Sequence, residues 1–244
     1  MPGHLSIIAT PIGNLEDITF RALRILRECD CILCEDTRVT AKLLAGHGIS
    51  GKSLIRFDAF ATPRKLHAVL DVLRAGQHIA LVSDAGTPGV SDPGNFLVAA
   101  VVRELPGVVI DPIPGASALT ALASVCGIPT GQFLFLGFLP LKQHRKKALE
   151  RIAQSAETVF FFESPHRIVR TLRELDPLLG DRMTVLGREL TKRFETIYRG
   201  SARMVLHELE QSSGKIRGEI VVAVTGCKSG HGHAERAQPA EVAS

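Results

Sequence analysis

The sequence predicts an α/β protein built of two units, and three observations carry that prediction. Apolar runs at residues 5–9, 31–34, 78–83 and 108–113 are continuous rather than alternating, as strands covered on both faces of a parallel sheet are. Segments of helical length separate these runs, giving the strand–helix alternation of a parallel sheet. Beyond Pro114 the rhythm changes: Pro114-Gly115-Ala116-Ser117 opens an Ala-rich helix ending near Gly127, and a second series of strands follows. Residues 1–115 are therefore expected to form a first α/β unit and 116–227 a second. Residues 228–244, with a Gly-His-Gly-His run and scattered Ala, Pro and Glu, lack periodicity and are expected to be a disordered tail.

Each element has its own signal. The 5–9 strand is closed by the turn at 11–14, and Asp17 is a candidate N-cap for a helix with Ile18, Ala22, Ile25 and Leu26 on one face. The 31–34 strand is followed by a short helix at 39–45, a strand at 53–57 and a longer helix at 62–74. The 78–83 strand, a helix at 95–103 and the 108–113 strand complete the first unit. In the second, strands at 133–138, 158–162 and 183–187 alternate with a basic helix at 142–153 and a helix from about His166. A strand at 194–199, a helix at 202–210 and a strand at 219–225 finish it.

Composition excludes several classes. Twenty-nine Lys and Arg against 25 Asp and Glu leave a net charge of +4 over 244 residues, too little to mark a nucleic-acid binder by itself. Distribution is more informative: Lys142, His144, Arg145, Lys146 and Lys147 cluster, as do Arg188, Lys192, Arg193 and Arg199. Each cluster reads either as a solvated face or as phosphate contacts. No apolar stretch approaches the ~20 residues of a membrane span, and no leader pattern opens the chain, so a cytoplasmic protein is expected. Five cysteines fit a reducing compartment. Cys29, Cys31 and Cys34 suit buried packing better than a metal site, because neighbouring strand positions point to opposite faces, and no metal is expected.

Residues 46–53, Gly-His-Gly-Ile-Ser-Gly-Lys-Ser, match the phosphate-binding pattern GxxxxGK[ST]. That chemistry needs a strand before the loop and a helix after it, so that the helix N-terminus faces the phosphates. Here a helix precedes and a strand follows. The match reads as a helix end and a turn.

The informative stretches are Leu81-Val82-Ser83-Asp84-Ala85-Gly86-Thr87-Pro88-Gly89-Val90-Ser91-Asp92-Pro93-Gly94 and Phe161-Phe162-Glu163-Ser164-Pro165-His166-Arg167. The first sets an Asp and glycines directly after an apolar strand, where backbone can wrap closely around a charged cofactor, although the same residues make ordinary turns. Together with Ala9-Thr10-Pro11-Ile12-Gly13-Asn14, Cys34-Glu35-Asp36-Thr37-Arg38, Pro112-Ile113-Pro114-Gly115-Ala116-Ser117-Ala118-Leu119, Gly137-Phe138-Leu139-Pro140, Gly187-Arg188-Glu189-Leu190-Thr191-Lys192 and Gly218-Glu219-Ile220, they give the chain its likeness. From about Leu5 to Gly226 it resembles the rRNA small subunit methyltransferase I family. The resemblance implies the tetrapyrrole-methylase-like (class III) fold, with S-adenosyl-L-methionine in an interdomain cleft, homodimers, and methylation of a cytidine ribose 2′-hydroxyl in small-subunit (16S) rRNA or the assembled subunit.

Carried onto this sequence, the resemblance implies a cofactor site of Pro11, Gly13, Asp84, Ala85, Gly86, Ser117 and Ala118, completed by Phe162, Glu219 and Ile220. Turn geometry and helix capping are alternative roles for Pro11, Gly13, Gly86 and Ser117. A ribose hydroxyl is a poor nucleophile near neutral pH, so a base, or a cation beside the alkoxide, is expected. Candidates are Glu35, Asp36 and Arg38 after the second strand, and Glu189, Lys192 and Glu195 after the 183–187 strand, with ion pairing within each group as the other reading. Arg145, Lys146, Lys147, His166, Arg167 and Arg188 are candidate RNA contacts.

Two departures from the family pattern stand out: Phe57-Asp58-Ala59-Phe60-Ala61 replaces a His- and Asn-containing segment, and Phe194 replaces a His before Glu195. A further C-terminal helical region common in the family is replaced by the low-complexity tail. The Phe57–Ala61 and Phe194 departures motivate one alternative, a non-catalytic ribosome-assembly RNA binder; a methylase of corrinoid or porphyrin precursors on the same fold is the other.

Overall fold

The apolar runs of the first half become one parallel sheet in the computed structural model, which describes residues 3–227 except 59, 93 and 212–215; the tail at 228–244 lies outside the described residues. The strands are β1 (His4–Ile8), β2 (Cys31–Cys34), β3 (Ser53–Arg56), β4 (His78–Val82) and β5 (Val109–Ile113), in the order β3-β2-β4-β1-β5. Both faces are covered. Leu5, Cys31, Leu33, Ile79 and Leu81 pack with residues of α3 (Pro63–Arg74) and α4 (Gly94–Glu104). The alternate positions Ile8, Ile32, Cys34, Ala80 and Val82 pack with α1 (Phe20–Glu28) and α2 (Thr37–Gly46). Continuous apolar strands arise because each face needs its own apolar layer, and each buried Leu or Ile contributes roughly 1.5–3 kcal/mol.

The cysteines serve that packing. Cys31 and Cys34 lie on opposite faces, and burial pushes the Cys29 thiol up to about 11. Among the described residues no cluster of His, Cys, Asp and Glu is arranged to hold a metal. The start of α1 differs from the sequence expectation: Thr19, not Asp17, is its N-cap, its side chain accepting from the Ala22 amide at 3.1 Å. Asp17 instead ends a 3₁₀ turn at Leu15–Asp17 that the Asn14 side chain caps. Two short polar side chains in series compete for the first turn, and Thr19 sits directly before the amphipathic stretch.

The second unit is mixed. β6 (Phe133–Phe138) runs parallel to β7 (Thr158–Glu163), and β10 (Ile220–Val224), β8 (Thr184–Arg188) and β9 (Thr196–Gly200) follow antiparallel, in the order β6-β7-β10-β8-β9. α6 (Arg145–Gln154), α7 (Ile168–Leu179) and α8 (Ala202–Gln211) cover one face. α5 (Ala118–Val125) covers the other, where Leu122 and Cys126 meet Phe160, Val185, Val221 and Ala223. Ile12, from the loop after β1, is buried in this same cluster. The first unit thus inserts a side chain into the core of the second.

The phosphate-loop match resolves structurally. α2 ends at Gly46, β3 begins at Ser53, and Lys52 turns away from any loop interior to donate to the carbonyls of Arg27 and of Cys29, the latter at 2.8 Å. A lysine on the last carbonyls of α1 is a C-terminal cap. Lys52→Ala is expected to cost about 0.5–1.5 kcal/mol in denaturant unfolding and to leave catalysis intact, with no ATP hydrolysis by the wild type. ATPase activity lost with Lys52→Ala would restore the nucleotide reading.

Candidate active site

The registers Ile8↔Val82 and Ile8↔Ile113 bring β1, β4 and β5 to an end level with one another. Their outgoing loops therefore meet at one edge, the place where open parallel sheets bind ligands. Thr10 and Gly86 exchange backbone hydrogen bonds of 2.9 and 3.1 Å, and the Ser83 hydroxyl donates to the Gly86 carbonyl at 2.9 Å. Gly86 holds φ +86°, a conformation costly for any residue with a β-carbon. Asp92 fixes the next turn by accepting from the amides of Gly89 and Gly94.

Between this edge and the second sheet lies a cavity of about 460 Å³. Of the sequence candidates, Glu35, Asp84, Ala85, Gly86, Ser117, Ala118, Phe162, Glu219 and Ile220 line it. Ile12 lines it in place of its neighbours Pro11 and Gly13. Sequence reasoning did not single out Phe138, Glu163 or Leu190 as lining residues, although all three lie in quoted motifs. Glu35 is half-buried, and burial, followed by the charges of Asp84 and Asp92, pushes its carboxyl above the usual glutamate range. A larger groove of about 630 Å³ runs along the outer side of β6, lined by Gln132, Lys147, Glu150, Arg151 and Glu157 among others, away from the strand-end loops.

The other catalytic candidates are held by structural contacts. Asp36 caps α2 and pairs with the exposed Arg38, which holds its carboxyl well below the usual range. Glu195 accepts from the Thr191 amide in its own loop. Glu189 accepts from Lys192 Nζ at 2.8 Å and from the Glu219 amide at 2.9 Å. Burial pushes the Glu189 carboxyl up, but those two donors more than offset it and leave it low. Lys192 also reaches Glu219 at 3.2 Å, and its aliphatic stem lies across Gly13, where a β-carbon would fall 2.2 Å from Lys192 Cγ. Gly13 is therefore needed for close approach of the two units, and Lys192 is the strut between them.

The RNA candidates divide. Lys146, Lys147 and His166 are exposed. Arg145 is not: it is only 6% exposed, with its guanidinium on Glu174 (2.8 Å), the Thr171 hydroxyl (2.9 Å) and the Pro140 carbonyl. Its surface reading is corrected, because a buried carboxylate, Glu163, draws the positive charge inward; Glu163 also holds Arg167 and accepts from Thr171 at 2.7 Å. Removing one partner from such a buried network is far costlier than losing a surface pair. Arg188 is partly buried, and its Nε has no partner among the described residues.

Comparison with known proteins extends this picture. The model of the Tetrapyrrole (Corrin/Porphyrin) Methylases matches residues 4–205. The chain is 42% identical over 224 residues to the ribosomal RNA small subunit methyltransferase I of Thermotoga maritima, covering 92% of this chain and 99% of the relative. It is 45% identical over 224 residues to the protein of that name from Vibrio cholerae, covering 91% and 77%. Among solved structures it is similar to cobalt precorrin-4 methyltransferase (TM-score 0.65, 21% identity, 90% and 94% covered). It is likewise similar to uroporphyrin-III C-methyltransferase from Thermus thermophilus complexed with S-adenosylhomocysteine (TM-score 0.59, 20% identity, 91% and 97% covered). These two likenesses show the shared fold.

The strut has a testable signature. Gly13→Ala is expected to cost roughly 1–3 kcal/mol by overpacking. Lys192→Ala removes the atoms it would strike, so the double variant should be clearly less destabilised than the sum of the two, by at least ~0.5 kcal/mol. Additive costs would separate Gly13 from Lys192.

Proposed function

The chain belongs to the ribosomal RNA small subunit methyltransferase I family, within the tetrapyrrole methylases, and from that premise we propose that it methylates the ribose 2′-hydroxyl of a cytidine in small-subunit (16S) rRNA, using S-adenosylmethionine. The observation that carries the reading is the cavity between the 83–87 loop and residues 162–165 and 218–221, with the Glu35 carboxylate on its wall.

The residues fit the cofactor. A volume of about 460 Å³ lies within the range of small-molecule sites. Ile12, Ala118, Phe162, Leu190 and Ile220 offer apolar surface to an adenosyl group, and the Asp84 carboxylate offers a partner to an ammonium. When bound, S-adenosylmethionine supplies a sulfonium methyl open to in-line displacement. The chain's own work is then alignment of the acceptor, exclusion of water and removal of one proton. Glu35 is the base in this reading: among the acidic candidates it lines the cavity with a raised pKa, whereas Asp36, Glu189 and Glu195 are held by caps and ion pairs. Lys192 acts as the interdomain strut in this reading, and exposed Lys146, Lys147 and His166 approach phosphates. The family premise also brings in a homodimer acting in the cytoplasm on naked or assembled rRNA; among the described residues no helix is long and apolar enough to cross a membrane.

Ribose-methylation mapping of small-subunit rRNA tests the reading. Cells lacking the gene should lose one 2′-O-methyl cytidine, restored by the wild type and not by Glu35→Gln. In vitro, Glu35→Gln should lower kcat by roughly 10²–10⁴-fold while the protein still binds S-adenosylmethionine. Because the base acts deprotonated, the wild-type rate should fall as pH drops through the raised Glu35 pKa, at a pH above the ordinary glutamate value of ~4.3. An unchanged methylation map removes the rRNA assignment, and an active Glu35→Gln removes the base.

The lysines make a separate prediction. Lys146→Ala with Lys147→Ala should flatten the salt dependence of RNA binding by up to ~0.9 per lost contact on duplex, or ~0.7 on single strands. An unaltered slope returns both to a solvated face.

A further inference from the structure

β6 is not a plain strand. It pairs with β7 at Phe133↔Thr158, Leu134↔Val159 and Phe135↔Phe160, but the next pairing is Phe138↔Phe162. Three steps along β6 therefore match two along β7, and one extra residue is inserted at Leu136-Gly137. Gly137 holds φ +60° there, and a β-carbon on it would fall 2.9 Å from the Ser91 hydroxyl oxygen. The bulge is thus pressed against the cavity-lining turn of the first unit.

The insertion changes which face Phe138 occupies. In an unbroken strand it would lie on the opposite face from Phe135, because side chains alternate. With one extra residue it shares Phe135's face, and both rings meet Phe162, Phe138 tilted at 5.4 Å and Phe135 edge-on at 5.0 Å. Re-aiming a side chain is a recurrent use of bulges next to active sites. Phe138 consequently lines the cavity, yet it remains 57% exposed. Packing against Phe162 holds the ring at the cavity rim and leaves more than half of it in water.

We propose that Phe138 is the surface on which the target base of the RNA stacks during methylation; this rests on the rRNA reading above. Picking out one cytidine by sequence works mostly on unstacked bases, which aromatic side chains receive by stacking. The surroundings fit a nucleotide. Beyond Pro140 the chain exposes Lys142, Lys146 and Lys147, and the cavity-lining Ser164-Pro165 leads to exposed His166. A base on the ring thus has Lys142 and Lys146 close by in the chain as cations for its phosphates. The cofactor's adenine is the other flat ring system at this site, and it is assigned to the more enclosed Phe162.

The test compares wild type, Phe138→Ala, Phe138→Leu and Phe138→Trp for methylation of small ribosomal subunits, with S-adenosylmethionine affinity by calorimetry and thermal unfolding alongside. Alanine should lower kcat/KM for RNA roughly 5- to 150-fold, the range of one lost base–aromatic stack. Leucine, which keeps bulk without a π-face, should lose nearly as much, and tryptophan should recover most of it. Cofactor affinity should stay within twofold in all three. Equal kcat/KM in alanine and wild type, or full activity in leucine, overturns the proposal. A matching loss of cofactor affinity assigns the ring to the cofactor's adenine instead and also overturns it. If the wild type itself fails to methylate small-subunit RNA, the rRNA reading fails and this inference with it; if only the Phe138 comparison fails, that reading stands.

Discussion

The molecule depends on how the loop after β1 crosses between the two sheets. Three residues do most of this: Thr10 is tied to Gly86 in the first unit, Ile12 is buried in the core of the second, and Gly13 lies beneath the stem of Lys192. Because these lie within four residues of one short loop, neither unit can shift without breaking a backbone pair, an apolar contact or a close approach. The cavity between the units is in this sense preorganised, which is what a reaction limited by alignment needs. The same loop explains why a small cluster of ions at Lys192, Glu189 and Glu219 matters more than its partial exposure suggests. It braces one wall of a site rather than decorating a surface.

Charge in this protein is divided between bracing and display. Glu163 is buried with no solvent exposure of its side chain and gathers Arg145, Arg167 and Thr171 beneath the wall made by residues 162–165. A buried carboxylate of this kind is tolerated only with such partners. On the other wall, burial and then the like charges of Asp84 and Asp92 push the Glu35 carboxyl above the usual glutamate range. One carboxylate is neutralised by cations and the other is held above the usual glutamate range, and environment rather than residue type separates the two.

Much of this was legible in the sequence, for identifiable reasons. Continuous apolar strands and their alternation with helices reveal a parallel sheet, because burial on both faces leaves no polar positions at 31–34 or 79–82. Motifs after strand ends converge on one cavity because level strand ends leave their loops nowhere else to go. What was hidden depends on long-range pairing. Nothing near Arg145 distinguishes it from exposed Lys146 and Lys147, since its partners Glu163 and Glu174 lie 18 and 29 residues away along the chain. Gly13 and Lys192 looked like separate motifs, although one exists to fit the other. Phe138 was hidden by strand parity, which the bulge reverses; the glycine inside the 133–138 run was the available signal, since a strand-interior glycine often marks one. Asp17 misled because capping residues stood at Asn14, Asp17 and Thr19 within six residues of chain.

As proposed above, methyl transfer takes place in the cavity between the two units rather than in the groove along β6. A crystal structure of the protein with S-adenosylhomocysteine tests it most directly. The ligand is expected between residues 83–87 and residues 162 and 219–221, its amine toward Asp84, with the two units unmoved around Ile12 and Lys192. Ligand in the outer groove along β6, or a cavity reached only after Gly13 and Lys192 separate, would contradict it.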